Sequence, residues 1–196
     1  MGRLAGNNNF KCVVVGDGGV GKTSMLLRYV NNDFLVEYMP TCFDSYSVPL
    51  HLGEKQGTME LIDTAGQETY DRLRTLSYYD TDIFVVCFSV GSVDSFINIR
   101  SRWLPELRDY RPDTPFLLVG TQSDLRETRD GGAEALVSSH KAKRLARKLG
   151  AIGYVECSAL TGHGLDRVFW QATACAVQPQ KKSKFWSSIK NIFVKR

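Results

Sequence analysis

No stretch of this chain is apolar enough to cross a bilayer as a helix. The longest apolar run, Ile83 to Val90, has eight residues with one serine among them, against the roughly 20 that a spanning helix needs. No apolar core follows Met1-Gly2-Arg3-Leu4, so a secretory leader is not expected. Cysteine is sparse: Cys12, Cys42, Cys87, Cys157 and Cys175 form an odd, scattered set without a CxxC pair. That argues against a disulfide framework or a zinc site and fits a reducing compartment. Internal repeats and low-complexity tracts are also missing, which excludes solenoid and collagen-like architectures.

Acidic residues are absent from the last sixteen positions. Six of the chain's 25 Lys and Arg fall there and none of its 21 Asp and Glu, so the first 180 residues carry 19 cations against 21 anions, a net of −2. The overall charge of +4 therefore belongs to the C-terminal segment. What remains is ordinary for a globular domain: 196 residues, 43% hydrophobic and 23% charged. A chain of this length can bury roughly 70% of its unfolded surface in one core.

Strands and helices alternate. Cys12-Val13-Val14-Val15 is a short β-branched run ending at Gly16, and a helical stretch runs from Lys22 to about Tyr29. Tyr46, Val48, Leu50 and Leu52 alternate with polar residues, and Pro49 makes this an edge strand because it has no N–H to donate. Gly53 to Gly57 is a turn, from which Met59 to Ile62 returns as the partner strand. Ile83 to Phe88, Phe116 to Val119 and the segment around Tyr154-Val155 complete six strands. Phe96, Ile99, Trp103, Leu104 and Leu107 recur at helical spacing. Helices also end at Gly150 and near Pro179. The expectation is an α/β fold, a mainly parallel six-stranded sheet with helices on both faces.

Gly16-Asp17-Gly18-Gly19-Val20-Gly21-Lys22-Thr23 fits G-x-x-x-x-G-K-[ST], with a strand before it and a helix after it. Glycines let the backbone curl with its N–H groups inward, and the helix N-terminus adds positive potential, so the segment suits a phosphate. Lys22 can reach the outer phosphates, and the Thr23 hydroxyl can serve Mg²⁺. The loop does not choose between ATP and GTP. Asp63, 40 residues after Thr23 and closing the Met59–Ile62 strand, stands where a second carboxylate would hold the Mg²⁺ hydration shell. Gly66 can offer its N–H to a γ-phosphate, and Gln67 can orient a water. Asp124, in Thr121-Gln122-Ser123-Asp124, could accept hydrogen bonds from guanine N1–H and its exocyclic amine; adenine presents no donors there. Cys157-Ser158-Ala159-Leu160 would add backbone N–H groups toward the guanine carbonyl.

GDGGVGKT, DTAGQ, TQSD and CSAL in this order resemble the small GTPases of the Ras superfamily. The likeness runs from about Phe10 to Ala176. Tyr38-Met39-Pro40-Thr41-Cys42-Phe43-Asp44-Ser45-Tyr46 is similar to the effector segment of the Rho family, as is Tyr70-Asp71-Arg72-Leu73-Arg74. The TQxD form is nearest the Rac and polarity-regulating branches. The resemblance implies a P-loop NTPase fold over 10–178, between a short extension at 1–9 and a tail at 179–196. It implies GTP/GDP and Mg²⁺ as ligands. Thr41 would join Thr23 and Asp63 around the metal. Phe34 would pack on guanine and Tyr38 would cover the phosphates. Ser24, Thr64, Ala65 and Leu125 complete the expected nucleotide site. Gln67 and Lys22 are the expected catalytic residues. No arginine in cis suits the role of a finger, so hydrolysis should be slow without an activating protein. Exchange factors and effectors are further implied partners, for a monomer.

Three departures stand out. Gln122 replaces the lysine usual in small GTPases, Ile62 replaces an aromatic residue of the Rac branch, and the 34-residue interval from Asp124 to Ser158 leaves only a shortened helical insert.

The C-terminus departs furthest. Rho GTPases usually end in a prenylated C-a-a-X, whereas this chain ends Phe193-Val194-Lys195-Arg196, and Gly6 stands where N-myristoylation favours Ser or Thr. Phe185, Trp186, Ile189, Ile192 and Phe193 fall on one helical face with lysines and serines opposite, in a segment whose cations are Lys181, Lys182, Lys184, Lys190, Lys195 and Arg196. That pattern suits peripheral attachment to an anionic membrane surface on the cytosolic side, of the plasma membrane or an endomembrane, without prenylation. A partner-bound helix of calmodulin-target type and an unstructured tail share the signature. Lys141, Lys143, Arg144, Arg147 and Lys148 read as the solvated face of a packed helix. Without interleaved aromatics they give no support for nucleic-acid binding. The expected function is a Rho-type GTP/GDP switch acting on actin organisation, polarity or membrane traffic. The rivals are a GTP-locked binding module with negligible turnover and a P-loop kinase or ATPase, in which Asp124 and the CSAL segment would have no purpose.

Overall fold

The computed structural model describes residues 9–32, 43–52, 55–67, 70–128 and 136–177. Six strands form one sheet in the order β2-β3-β1-β4-β5-β6. They are β1 (Asn9–Gly16), β2 (Phe43–Leu52), β3 (Lys55–Thr64), β4 (Ile83–Ser89), β5 (Phe116–Thr121) and β6 (Tyr154–Glu156). All neighbours run parallel except β2 against β3. β2 lies at the edge with Pro49 opposite Thr58, where its missing N–H breaks little of the ladder.

Alternation along the strands loads both faces. Cys12 and Val14 point to one side with Leu61, Val85 and Val119, under α1 (Lys22–Asn31) and α7 (Leu165–Val177). Val13 and Val15 point to the other with Ile62, Val86 and Leu118. The helices on that side are α3 (Val93–Asn98), α4 (Leu104–Tyr110) and α6 (Ser139–Leu149). Two short helices, α2 (Asp71–Leu76) and α5 (Leu125–Thr128), follow β3 and β5. Tyr29 of α1 stacks on Phe169 of α7 with ring centroids 3.9 Å apart, and Phe169 is fully buried. Its truncation to Ala would cost about 3–5 kcal/mol.

The helix expected from Phe96 to Leu107 begins earlier, at Val93, and is not uniform. Ser92 caps it by accepting the Ser95 N–H at 3.2 Å. Between α3 and α4 lies a π-helical turn, Ile99–Trp103. Pro105 is the second residue of α4 and lacks the N–H that would bond back into this turn, a position in the first turn of a helix where proline is tolerated. The carboxyl ends of β1, β3, β4, β5 and β6 all open on one edge. β1 sits between β3 and β4, where the chain's path across the sheet reverses. In open α/β sheets ligands bind at such a switch point.

Candidate nucleotide site

The loop from Gly16 to Gly21 joins β1 to α1 at that switch point. Gly21 caps α1 with φ 88°, a left-handed conformation that costs glycine little, and brings no side chain over the first N–H groups. No acidic residue sits in the first turn to compete for an anion. Lys22 is 6% exposed, and its ammonium donates to the carbonyls of Gly16 and Asp17, 2.8 Å each. Burial pulls its pKa below the ordinary lysine value, and the negative charge of Asp63 partly offsets this. Ser24 follows in the first turn of α1.

Asp63 and Thr64 close β3 beside the loop. The Thr23 hydroxyl donates to Asp63 Oδ2 at 2.5 Å, so two oxygen ligands from different elements converge. Thr64 turns its hydroxyl inward, to the Val14 carbonyl at 2.7 Å. Ala65 and Gly66 are buried and Gln67 is exposed. Gly66 lies against the loop so closely that a Cβ there would meet Gly18 N at 2.3 Å and Gly16 O at 2.5 Å. Hard oxygen donors beside a buried ammonium at the N-terminus of a helix fit a Mg²⁺–triphosphate. When bound, Mg²⁺ would neutralise phosphate charge; Thr23 and Asp63 are the residues here that would hold it.

On the far side, Thr121 ends β5 and is buried. Its hydroxyl donates to Val20 O at 2.5 Å and Phe88 O at 2.9 Å, tying the loop to the sheet. Gln122 adopts φ 57°, uncommon for a residue with a Cβ. Its amide donates to Gly19 O at 3.3 Å and accepts a short hydrogen bond from Ser89. A neutral amide thus bridges the phosphate loop and the end of β4 at the usual lysine position. Asp124 Oδ1 accepts the Ser158 hydroxyl at 2.5 Å, which aligns a carboxylate that keeps further lone pairs for ligand donors. Leu125 opens α5, Ala159 is half-buried and Leu160 is 52% exposed. A groove of about 270 Å³ runs along this side, lined by Gly18, Gly19, Ser92 and Gln122 among others.

Below the base loops, Glu156 accepts from Arg126 at 2.6 and 3.0 Å, from Ser139 at 2.5 Å and from Tyr154 at 2.7 Å. Burial works against its charge, but these donors prevail and hold the carboxyl below its usual value. The network clamps α5 and α6 onto β6, and so fixes the loops that carry Asp124 and Ser158.

Some residues lie outside the described ones: Phe34, Tyr38, Met39, Pro40, Thr41, Cys42 and the whole tail from Lys181 to Arg196. Phe43, Asp44, Ser45 and Tyr46 form the start of β2, with Phe43 half exposed.

Sequence reading missed Asn98 and Trp103. Asn98 Nδ2 and Trp103 Nε1 each donate to the Asp17 carboxylate at 2.7 Å. A signal was available: a carboxylate inside an anion-binding loop would repel phosphate unless donors elsewhere drew it aside. The roles of Arg74 and Glu106, which meet beside Trp103, had no such signal.

The Ras family model matches residues 11–178 of the chain. Members of that family are small GTPases that bind GTP and GDP with Mg²⁺, hydrolyse GTP and meet regulators and effectors. With the match spanning every motif gathered at the carboxyl edge of the sheet, the chain belongs to the Ras family of small GTPases.

Proposed function

We propose that this member of the family is a Rho-type switch. It binds effectors when loaded with GTP and turns off by slow hydrolysis that an activating protein accelerates. The segments Tyr38–Tyr46 and Tyr70–Arg74 support the Rho assignment through their sequence likeness. The observation that carries the switch reading is the convergence of Thr23 and Asp63, 2.5 Å apart, beside Gly66 and Gln67. A γ-phosphate held there would sit between the phosphate loop and the segment bearing the water-orienting amide. In hydrolysis, water attacks the γ-phosphorus as the bond to the β-phosphate oxygen breaks. Gln67 orients that water, and Lys22 balances charge on the phosphate oxygens. Asp124, aligned by Ser158, selects guanine.

We further propose that residues 179–196 hold the switch on the cytosolic face of an anionic membrane, where it signals to actin organisation, polarity or traffic as a monomer. The support is five apolar residues on one helical face within a segment that carries six cations and no acidic residue. Single-turnover hydrolysis by the wild type and Gln67→Leu tests the first part; equal rates would remove Gln67 from its role, and a wild type that never turns over would favour the GTP-locked module. Co-sedimentation with phosphatidylserine vesicles tests the second. The full chain should pellet, and release with salt, whereas a chain ending at residue 180 should stay in solution.

A further inference from the structure

Arg74 is fully buried, yet it is charged and lies in a six-residue helix outside the nucleotide motifs. Its guanidinium uses its full fork. Nη1 donates to the carbonyls of Ala65 at 3.1 Å and Gln67 at 3.4 Å, the residues before and after Gly66. Nη2 donates to Glu106 and Asp71 at 2.7 Å each, and Nε to Glu106 at 3.0 Å and the Tyr78 hydroxyl at 3.2 Å. Burial works against the charge, but Glu106, Tyr78 and Asp71 secure it, and the group stays protonated. The guanidinium carbon also lies 4.7 Å from the centroid of the Trp103 ring. Trp103 is the same residue whose indole N–H holds Asp17 of the phosphate loop at 2.7 Å.

One continuous chain of contacts therefore runs from Asp17 through Trp103 to Arg74, and on to the carbonyls around Gly66. It ends on both walls of the cleft in which a γ-phosphate would lie. Trp103 closes the π-helical turn, and such turns recur at functional sites because they re-aim side chains. Here the turn is followed at once by α4, which carries Glu106.

We propose that Arg74 is a positioning residue for GTP hydrolysis, and that Trp103 couples it to the phosphate loop so that the two walls are set as one unit. This rests on the GTPase reading above. The partners of Arg74 are protein groups; it fixes the carbonyls of Ala65 and Gln67, and with them the backbone from which the Gln67 amide reaches. A lysine retains the charge at this site but cannot span Glu106 and both carbonyls. A phenylalanine at 103 retains the ring under Arg74 but loses the donor to Asp17.

The test uses the full chain with Arg74→Lys, Trp103→Phe and the double variant. It measures single-turnover GTP hydrolysis, GDP dissociation and the indole N–H resonance of Trp103. A displacement near 1 Å at a reacting group costs about 100-fold in rate, so Arg74→Lys should slow hydrolysis by about that factor while GDP dissociation changes little. In Arg74→Lys the Trp103 indole signal should also shift, although the substitution does not touch that N–H. The double variant should be about as slow as the slower of the two single variants, short of the product of their effects, since parts of one unit are not independent. Hydrolysis at the wild-type rate in Arg74→Lys would overturn the proposal. So would effects that multiply, or a loss of GDP binding equal to the loss of rate, which would mark a merely structural residue. A wild type that binds GTP without hydrolysing it would sink the switch reading itself and this inference with it; a hydrolysing wild type with unaltered variants sinks the inference alone.

Discussion

Replacing Gly66 with alanine should separate nucleotide binding from hydrolysis. An added Cβ would stand 2.3 Å from Gly18 N, 2.4 Å from the Asp17 carbonyl carbon and 2.5 Å from Gly16 O, where ordinary contact begins at 3.4 Å. All three obstacles are backbone of the phosphate loop, which is tied down at Val20 by Thr121 and at Asp17 by Asn98 and Trp103. The loop cannot give, so the segment bearing Gly66 must retreat by about 1 Å, against the Arg74 anchors on either side. That displacement should reduce hydrolysis by about 100-fold. GDP contacts to Lys22, Thr23 and Asp124 do not pass through Gly66, so GDP dissociation should stay within about threefold of wild type. Overpacking of this kind costs about 1–3 kcal/mol, equivalent to a fall of roughly 2–12 °C in Tm for a chain of this size. Stopped-flow phosphate release, nucleotide dissociation and calorimetry read these three effects. Hydrolysis at the wild-type rate in Gly66→Ala, with an unchanged Tm, would refute the close packing of Gly66 on the loop.

Three further outcomes are expected. Asp124→Asn should lose two charge-assisted hydrogen bonds to guanine at about 2 kcal/mol each, so GDP affinity should fall about 1,000-fold by calorimetry; an unchanged affinity would remove the base-selecting role. Glu156 has a folded-state pKa below its ordinary 4.5, so the folded state binds fewer protons and the stability from its network is present above about pH 4.5 and lost as pH falls through the folded value. Glu156→Gln should therefore lower Tm at pH 7 and by less at pH 3, below the ordinary value, and an equal loss at both would contradict the network. Burial pushes the Cys12 and Cys157 thiols up to about 12, so at pH 8 only about one in 10⁴ is thiolate. Iodoacetamide should leave both unmodified in the folded protein and modify both in urea, as read by peptide mass.

Much of the site could be read from the sequence because its chemistry is local. Gly16 to Thr23 is a contiguous segment whose glycines and lysine announce a phosphate loop; Asp63 lies at the end of β3, and Asp124 and Ser158 follow β5 and β6. Pro49 marked the edge strand for the same local reason. What stayed hidden depends on distance in sequence. Trp103 meets Asp17 across 86 residues and Glu106 meets Arg74 across 32, and Trp103, at helical spacing among apolar residues, looks like plain core. The π turn that Trp103 closes departs from the 3.6-residue repeat, so helical periodicity does not reveal it. Thr64 and Thr121 lie in nucleotide motifs, yet both hydroxyls face the fold, a direction set by the sheet.

Competition between GTP and ATP for the chain loaded with a fluescent GDP analogue in Mg²⁺ tests the central claim most directly. GTP should displace the analogue stoichiometrically. ATP, which gives the Asp124 carboxylate no donors, should fail even at about 1,000-fold higher concentration. Displacement by ATP at concentrations comparable to GTP would contradict the assignment of Asp124, and with it the account of this chain as a guanine-nucleotide switch.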